Sequence, residues 1–322
     1  MIFKNKKILV TGAAGMIGRF VVSKLLKQNS LITATDLYKP SKYEKNVNFV
    51  EADLRFFDQC LKICEGIDIV IHLAGIKGSP KMCMEQPANF MIPMLQFNTN
   101  ILEAAKKNNC EWILYTSSVG VYSPAEIFFE DTVWNTFPSK NDWFAGWAKR
   151  IGELQAQAYE IQDKMSNISI IRPANVYGEF DNFEPNSSMV IPSLIRKAHE
   201  NEILEVWGDG SPIRDFIHAE DVARGALHVI QKSFTMPVNL GSSIGCSIKD
   251  LVEVIVSKSI KKPKIKWLSD KPSGDKIRLF DTERAKSIGF NCQISLSEGI
   301  ERTTKWFLEN HQIISKRFNA FE

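Results

Sequence analysis

Three glycines stand three residues apart near the start of the chain, where a strand-like pattern gives way to a helix-like one. The apolar run at residues 8–10 is typical of a short buried strand, and apolar residues recur at helical spacing from residue 20 onward. Gly12, Gly15 and Gly18 lie between the two. A tight turn, a close approach of the backbone to a pyrophosphate and the free N–H groups of a helix start would together bind a dinucleotide. The context predicts such a site, and small-residue packing is the alternative interpretation of the glycines.

An acidic residue follows the glycine turn by about twenty residues. Asp36 ends the run at residues 31–36, which predicts a second strand. A carboxylate in this place accepts hydrogen bonds from the adenosine ribose of NAD and repels the 2′-phosphate of NADP. No arginine stands at positions 13, 14, 37 or 38 to bind that phosphate. The sequence therefore favours NAD as the cofactor, and the alternative is that Asp36 only caps a loop.

Polar or small residues follow the other predicted strands as well. Those strands are predicted at residues 47–50, 67–71 and 112–115. The residues that follow them are Asp53, Leu54, His72, Leu73, Ala74, Gly75, Thr116, Ser117 and Ser118. Because ligands of parallel α/β sheets bind beyond the carboxyl ends of the strands, we expect Gly12, Asp36, Asp53, Ala74 and Ser118 to converge on one site.

Two of these positions have alternative interpretations. Asp53 could accept a hydrogen bond from the adenine amine, with Leu54 against the ring, or could be a solvated loop acid. His72 could be catalytic, but we interpret it as a buried histidine that the backbone satisfies.

The composition limits the classes of protein to which the chain can belong. With 322 residues and 44% hydrophobic content, it can bury one large or two modest cores. A net charge of +3 does not indicate a nucleic-acid-binding protein. No apolar run approaches the ~18 residues of a membrane span, and the chain enters its first strand with no room for a signal peptide. These features predict a cytoplasmic protein without nucleic-acid or membrane partners.

The six cysteines lack the spacing of a metal or redox motif. Cys60 and Cys64 lie four residues apart on a predicted helix, and we interpret them as packed thiols. Reduced cysteines agree with the cytoplasm, and no metal site is predicted.

Alternating strands and helices predict an α/β protein with a Rossmann-like, doubly wound parallel sheet. Later elements are predicted as a helix from Asp142 to Tyr159, a strand at 168–171, a helix at 190–198, a returning strand at 238–241 and a final helix at 296–308. The polar stretch at 179–186 is predicted as a substrate loop. Trp207 and Arg214, set among glycines, could hold a base and a phosphate.

The domain prediction divides the chain into two interleaved units. An NAD-binding domain covers residues 1–177, and residues 214–243 return to it. Residues 178–213 and 244–322 form a smaller C-terminal α/β substrate domain that is built from excursions off the sheet.

Taken together, these residues resemble the extended short-chain dehydrogenase/reductase family that acts on nucleotide sugars. The matching motifs are residues 11–18, 72–75, 116–118 with Val121 and Tyr122, Lys149, and residues 172–178. The resemblance implies a homo-oligomer, either a dimer or a tetramer. The residues expected to contact NAD are Gly12, Ala14, Gly15, Met16, Ile17, Asp36, Asp53, Leu54, Leu73, Ala74, Gly75, Lys149, Pro173, Asn175 and Val176.

The second half is most similar to the GDP-fucose synthase branch of that family. The matching stretches are residues 177–178, 181–183, 190–197, 206–210 with Arg214, and 271–274 with Arg278. The resemblance implies a GDP-sugar substrate bound by Ser118, Asn175, Val190, Leu194, Trp207, Arg214 and Arg278. Arg214 and Arg278 would face the diphosphate, whose oxygens suit guanidinium groups.

The sequence departs from the family pattern at the groups that move protons. The family has a Tyr-x-x-x-Lys pair, whereas Ala145 stands four residues before Lys149 here. Fucose synthases have a cysteine and a histidine where this chain has Gly120 and Met189, so we do not expect 3,5-epimerisation. Dehydratases have Asp and Glu directly after the serine or threonine, where this chain has Val119 and Gly120, so we do not expect water elimination.

The remaining chemistry is redox chemistry at one alcohol, which we expect to be the 4-hydroxyl of a GDP-linked hexose or heptose. Ser118 would hold that hydroxyl. Lys149 would take its proton, because burial beside the charged nicotinamide disfavours the ammonium form. Thr116 and Tyr122 are further candidates for this role.

The main prediction is thus an NAD-dependent 4-dehydrogenase that makes precursors of bacterial-type surface polysaccharides. A nucleotide-sugar 4-epimerase or 4-reductase is the first alternative. A family member that binds NAD and a partner protein without turnover is the second.

Overall fold

The structure is a computed structural model that describes residues 2–76, 80–271 and 275–311. Its strands are β1 (Lys7–Thr11), β2 (Leu31–Asp36), β3 (Asn48–Glu51), β4 (Ile69–His72), β5 (Trp112–Thr116), β6 (Ile127–Phe128), β7 (Ile168–Pro173), β8 (Asn175–Tyr177), β9 (Ile203–Trp207), β10 (Ile213–His218), β11 (Val238–Leu240), β12 (Gly245–Ser247), β13 (Lys264–Leu268) and β14 (Ile277–Phe280). Its helices are α1 (Met16–Leu26), α2 (Phe57–Ile63), α3 (Pro80–Glu85), α4 (Pro87–Lys107), α5 (Trp143–Asp163), α6 (Val190–Glu200), α7 (Ala219–Gln231), α8 (Ile248–Lys258), α9 (Glu283–Ser287) and α10 (Leu296–Asn310). Residues 272–274 of the predicted substrate motif and residues 312–322 of the predicted second domain lie outside the described residues.

A seven-stranded parallel sheet forms the centre of the fold, in the order β11-β7-β5-β4-β1-β2-β3. Strands β4 and β7 are buried along their whole length, as expected for strands that are covered on both faces. Helices α1 and α7 pack on one face, and α2, α4 and α5 pack on the other. The predicted doubly wound α/β sheet is confirmed.

The carboxyl ends of the central strands lie in register at one edge of this sheet. Thr11 is the partner of both Thr35 and His72, and His72 is the partner of Tyr115. Thr116, the last residue of β5, is the partner of Ile171 in β7. The residues that follow these strands therefore meet at one edge, as their positions in the sequence predicted.

Smaller sheets complete the fold. One has the order β12-β10-β14-β6 with β8 paired to β10, and β9 pairs with β13. Helices α6, α8 and α10 contribute Leu194, Ile255 and Phe307 to a separate apolar core. Within the predicted returning segment 214–243, α7 packs on α1 and β11 extends the main sheet, whereas β10 lies in the smaller sheet.

Strand β6 has only two residues and was not predicted. It pairs with β14, about 150 positions later in the chain, and a two-residue stretch is too short to show any hydrophobic periodicity. The predicted helices at 142–159 and 190–198 are present and extend to Asp163 and Glu200. No helix of the described residues is long and apolar enough to cross a membrane.

Candidate active site

The glycine turn between β1 and α1 is packed tightly against the loop that follows β4. Gly12 has a φ of +64°, and a Cβ atom there would lie 2.8 Å from the Ala74 nitrogen. A Cβ atom at Gly18 would overlap the carbonyl oxygen of Gly12, so α1 reaches β1 only because this residue is glycine. Gly15 precedes the first residues of the helix, Met16 and Ile17. The predicted strand, turn and helix are present, and the start of α1 offers N–H groups to a phosphate.

Asp36 lies at the end of β2 beside this turn. Its Oδ2 atom accepts a hydrogen bond from the Ala14 nitrogen at 3.0 Å, and its Oδ1 atom accepts one from the Leu37 nitrogen at 2.9 Å. The carboxylate thus fixes the glycine turn and remains half-buried at the ligand edge of the sheet. Both roles that the sequence left open for Asp36 are compatible with this position.

His72 is buried within a closed hydrogen-bond network. Its Nδ1 atom lies 2.8 Å from Thr11 Oγ1, and its Nε2 atom lies 2.9 Å from Asn98 Oδ1. Burial, which disfavours the charged form of the ring, is the main reason that the pKa of His72 falls to about 3. The interpretation as a buried, satisfied histidine is confirmed, but its partners are side chains and not the backbone.

Thr11 also holds the loop that follows β4. Its Oγ1 atom accepts hydrogen bonds from the nitrogens of Leu73 and Ala74, each at 3.2 Å. This loop continues to Gly75, where a Cβ atom would lie 4.0 Å from Lys149 Nζ. Because Ala74 and Gly75 are small, their side chains do not cover the backbone of the loop between the glycine turn and Lys149.

Asp53 and Leu54 follow β3, as predicted. The Nε and Nη2 atoms of Arg55 donate hydrogen bonds to the Asp53 carboxylate at 2.6 to 3.0 Å, and this hydrogen bonding is the main cause of the lowered pKa of Asp53. Leu54 is buried in the core against Cys60. Their contacts with adenine stay a prediction.

Lys149 joins helix α5 to the end of β5. Its Nζ atom donates a hydrogen bond to the carbonyl oxygen of Thr116 at 2.8 Å and lies 5.4 Å from the centre of the Tyr115 ring. Burial lowers the pKa of Lys149 to about 8, against the raising effect of Glu153. A lysine with this pKa exchanges protons near neutral pH, as a base for an alcohol must.

Ser118 lies two residues beyond β5, at the start of the 3-10 turn Val119–Val121. Its Oγ atom accepts a hydrogen bond from the Gly120 nitrogen at 3.1 Å. Thr116 Oγ1 is buried and has no hydrogen-bond partner among the described residues. The side chains of Thr116, Ser118 and Lys149 are thus brought to the same end of β5.

The hydroxyl group of Tyr122 is engaged in hydrogen bonds with side chains of β7 and β11. Its hydroxyl donates to Asn239 Oδ1 at 2.5 Å and accepts from Arg172 Nη1 at 3.1 Å. Burial raises the pKa of Tyr122 well above its ordinary value. This residue serves the core between β5, β7 and β11, so it is a weaker candidate for the proton carrier than the sequence indicated.

Arg214 and Arg278 are direct partners on the parallel strands β10 and β14. Two like charges on adjacent strands repel each other unless an anion lies between them. Burial lowers the pKa of Arg214, and the neighbouring charge of Arg278 lowers it further. The resemblance alone had indicated that these two residues act together, and the structure brings them side by side.

Two carboxylates that the sequence analysis missed bind Arg278. Asp142 Oδ2 accepts a hydrogen bond from Arg278 Nη2 at 2.8 Å, and Asp275 Oδ2 lies 2.8 Å from Arg278 Nε. Asp142 directly precedes α5, where an acid is expected on helix-capping grounds alone, so its sequence position gave no separate signal.

The other predicted ligand residues lie on β7, β8, β9 and α6. Trp207 and Val190 expose their side chains at the end of β9 and the start of α6, whereas Leu194 is 4% exposed and packs in the core. Asn175 Nδ2 donates to the Asp215 carbonyl oxygen at 2.8 Å. Pro173 ends β7 and Val176 lies in β8.

The described cysteines pack as ordinary side chains. Cys60 and Cys64 are buried in the core, and burial raises their pKa values. Within the described residues, no group of three or more His, Cys, Asp and Glu side chains could hold a metal ion.

Known proteins that are similar to the chain match it along almost its whole length. The GDP-L-fucose synthase 1 of Arabidopsis thaliana is 32% identical over 317 residues, which cover 95% of this chain and 94% of the relative. The GDP-L-fucose synthase of Escherichia coli (strain K12) is 28% identical over 324 residues, with 95% and 98% covered.

The fold is also found among solved structures. An epimerase from Methanothermobacter thermautotrophicus matches with a TM-score of 0.87 at 24% identity, over 98% of this chain and 95% of that one. The model of the NAD dependent epimerase/dehydratase family matches residues 8–241, from β1 to the end of β11. These residues include the glycine turn, Asp36, Ser118 and Lys149, and the chain belongs to the NAD dependent epimerase/dehydratase family.

Proposed function

We propose that the protein is an NAD-linked oxidoreductase that oxidises or reduces C4 of a GDP-linked hexose or heptose. The proposal rests on one observation: Lys149 and Ser118 lie at the same edge of the central sheet as the glycine turn. A role in making surface-polysaccharide precursors, and a dimeric or tetrameric state, belong to the same proposal.

The residues at the ends of β1 and β2 support NAD as the cofactor. The glycine turn and the start of α1 would hold the pyrophosphate, and the Asp36 carboxylate would accept hydrogen bonds from the adenosine ribose. The same carboxylate would repel a 2′-phosphate. Bound NAD would supply the acceptor or donor of hydride.

The arginine pair supports a nucleoside diphosphate in the substrate. Arg214 and Arg278 occupy adjacent register positions, Asp142 and Asp275 offset part of their positive charge, and a diphosphate would offset the rest. The exposed indole ring of Trp207 and the exposed side chain of Val190 would contact the base. The similarity to GDP-L-fucose synthases supports guanine as that base.

Lys149 would move the proton that accompanies the hydride. In the oxidative direction the neutral amine takes the proton of the 4-hydroxyl while Ser118 holds the oxygen. In the reductive direction the ammonium group returns a proton to the new alkoxide. Because its pKa is about 8, both forms are populated near neutral pH.

Reduction of a 4-keto sugar is the second candidate for the physiological direction. A relative from Streptomyces bikiniensis, 27% identical over 318 residues, is named dTDP-4-dehydro-6-deoxy-D-allose reductase. A 4-epimerase would oxidise and then reduce the same carbon, and would release no reduced cofactor.

The absorbance of the reduced nicotinamide tests the proposal and separates the directions. The purified protein is mixed with NAD or NADH and with GDP-hexoses, a GDP-heptose or their 4-keto forms. A rise in absorbance with an alcohol substrate supports oxidation, and a fall with a keto substrate supports reduction. If no GDP-sugar changes the absorbance or is epimerised, the proposed function is wrong.

A further inference from the structure

Two glycines bring the start of helix α5 against the turn that follows Ser118. A Cβ atom at Gly146 would overlap the carbonyl oxygen of Gly120, so the helix comes this close only because position 146 carries no side chain. Asp142, which directly precedes the helix, is thereby placed beside Gly120.

Asp142 and Ser118 face the same small space. A Cβ atom at Gly120 would lie 3.3 Å from Asp142 Cβ, 3.6 Å from Asp142 Cγ and 3.6 Å from Ser118 Oγ. Since position 120 is glycine, the carboxyl group and the serine hydroxyl approach this space from either side. The carboxyl group and the serine hydroxyl therefore lie close enough together for one substrate molecule to contact both.

The other end of the Asp142 carboxylate is bound to Arg278, at 2.8 Å. Asp142 therefore lies between the arginine proposed for the diphosphate and the serine proposed for the reacting hydroxyl. In a nucleotide sugar, the part of the molecule that connects the diphosphate to the reacting carbon is the sugar ring. A group between the two ends of the site lies along that ring.

The chemistry of the surroundings fits a sugar. The Asp142 side chain keeps 29% of its surface exposed, and carboxylate oxygens accept hydrogen bonds from hydroxyl groups. The next residue, Trp143, keeps 37% of its surface exposed, and its ring lies 6.2 Å from that of Phe137. Aromatic faces next to a carboxylate offer both apolar contact and hydrogen bonding to one ring.

We infer that Asp142 is a sugar-binding residue, which accepts a hydrogen bond from a hydroxyl of the substrate other than the one that reacts. The inference rests on the proposed function and deepens it, because it requires a substrate sugar that carries a free hydroxyl next to Asp142.

Binding in the presence of NADH tests the inference without turnover of an alcohol. The probes are the β-methyl ester of GDP, which has the diphosphate but no sugar, and the GDP-linked forms of mannose, glucose and a manno-heptose. The sugar-dependent gain is the Kd of the methyl ester divided by the Kd of the GDP-sugar. For the best of these sugars, forms that lack one hydroxyl at C2, C3 or C6 complete the set.

We expect Asp142→Ala to reduce the sugar-dependent gain about 10- to 100-fold, the usual effect of a hydrogen bond to a charged group. The Kd of the methyl ester should change less than about threefold. One deoxy form should bind the wild-type protein weakly and be insensitive to Asp142→Ala, which identifies the hydroxyl. Asp275→Asn is the matched control, because it removes the other carboxylate on Arg278 and should keep the gain.

Three results would overturn the inference. They are a wild-type protein that gains nothing from any of the sugars, an Asp142→Ala variant that keeps the gain, and an Asp275→Asn variant that loses it equally. The last result would show that both carboxylates act only through Arg278. The nicotinamide absorbance reports separately on the proposed function, so hydride transfer with an unchanged gain would refute the role of Asp142 alone.

Discussion

The Nζ atom of Lys149 donates a hydrogen bond to the carbonyl oxygen of Thr116 at 2.8 Å. This contact joins helix α5 to the strand whose end carries Ser118, across 33 residues of sequence. A Cβ atom at Gly152, one turn further along α5, would overlap the Tyr115 hydroxyl, so the helix lies directly on β5. The lysine is therefore held in place by the backbone of the last residue of β5.

The first prediction concerns the pH dependence of hydride transfer. The pKa of Lys149 is about 8, so the fraction of neutral amine rises as the pH passes through 8. Single-turnover oxidation should rise over this range and reduction should fall. Lys149→Met should abolish the dependence and slow transfer ~10²–10⁴-fold. The exposed Lys264→Met is the control, and an unchanged rate and profile in Lys149→Met would remove the lysine from the mechanism.

The second prediction compares two glycines with the same backbone conformation. Gly12 and Gly66 have φ values of +64° and +65°, so alanine at either should cost roughly 1–2 kcal/mol of backbone strain. Only Gly12→Ala also contacts the Ala74 backbone, whereas Lys7 Nζ, at 3.8 Å, is the nearest atom to a Cβ at position 66. We expect Gly12→Ala to lose NAD binding and Gly66→Ala to keep it. Titration with the cofactor and thermal unfolding measure the two effects, and equal NAD affinity in the two variants would contradict the proposed pyrophosphate site.

The third prediction concerns the choice of cofactor. Removing the Asp36 carboxylate removes the acceptor for the ribose hydroxyls and the repulsion of a 2′-phosphate. Asp36→Ala should shift the ratio of NADP to NAD affinity by about 10-fold or more towards NADP. It should also loosen the glycine turn, because Ala14 loses its hydrogen bond at 3.0 Å. Glu51, the partner of Asp36 on β3, provides the control Glu51→Ala, and a ratio that stays constant in Asp36→Ala would speak against the ribose contact.

The fourth prediction concerns acid stability. The pKa of His72 is lowered to about 3, and a histidine in the unfolded chain titrates near 6.5. The stability that the neutral ring provides is complete above pH 6.5 and is lost as the pH falls towards 3, because unfolding then takes up a proton. The free energy of unfolding should fall by about 1.4 kcal/mol per pH unit more in the wild type than in His72→Asn. The exposed His311→Asn should match the wild type, and equal slopes in all three would refute the prediction.

The fifth prediction concerns the arginine pair. Arg214→Met should weaken GDP binding about 10- to 100-fold, the value of lost hydrogen bonds between charged groups. It should leave the melting temperature unchanged or higher, because the like charge of Arg278 lies beside it in register. Lys264→Met, which removes an exposed cation from β13, is the control for both measurements. A variant that melts earlier and binds GDP normally would assign Arg214 a structural role.

The sequence by itself determined the parts of the fold that depend on local pattern. Strand-like runs of three to six residues, most of them followed by small or polar residues, predicted the main sheet and the edge at which its ligands bind. The physical reason is that parallel strands are buried on both faces and end together, so composition along the chain reports their position. The resemblance added Arg278 and assigned both arginines to the diphosphate, but the sequence did not show that they are partners on adjacent strands.

Tertiary structure decided which side chains act together. The pairing of Arg214 with Arg278 depends on the register of two strands that are 64 residues apart, and the side-chain partners of His72 come from β1 and α4. Asp142 lies near Ser118 because Gly146 lets α5 approach Gly120, and the residues beside Asp142 in the sequence do not indicate this proximity. The periodicity of a sequence indicates which residues are buried. A site, however, is formed where elements that are distant in the chain pack together, and the distances between their side chains are fixed only in the folded protein.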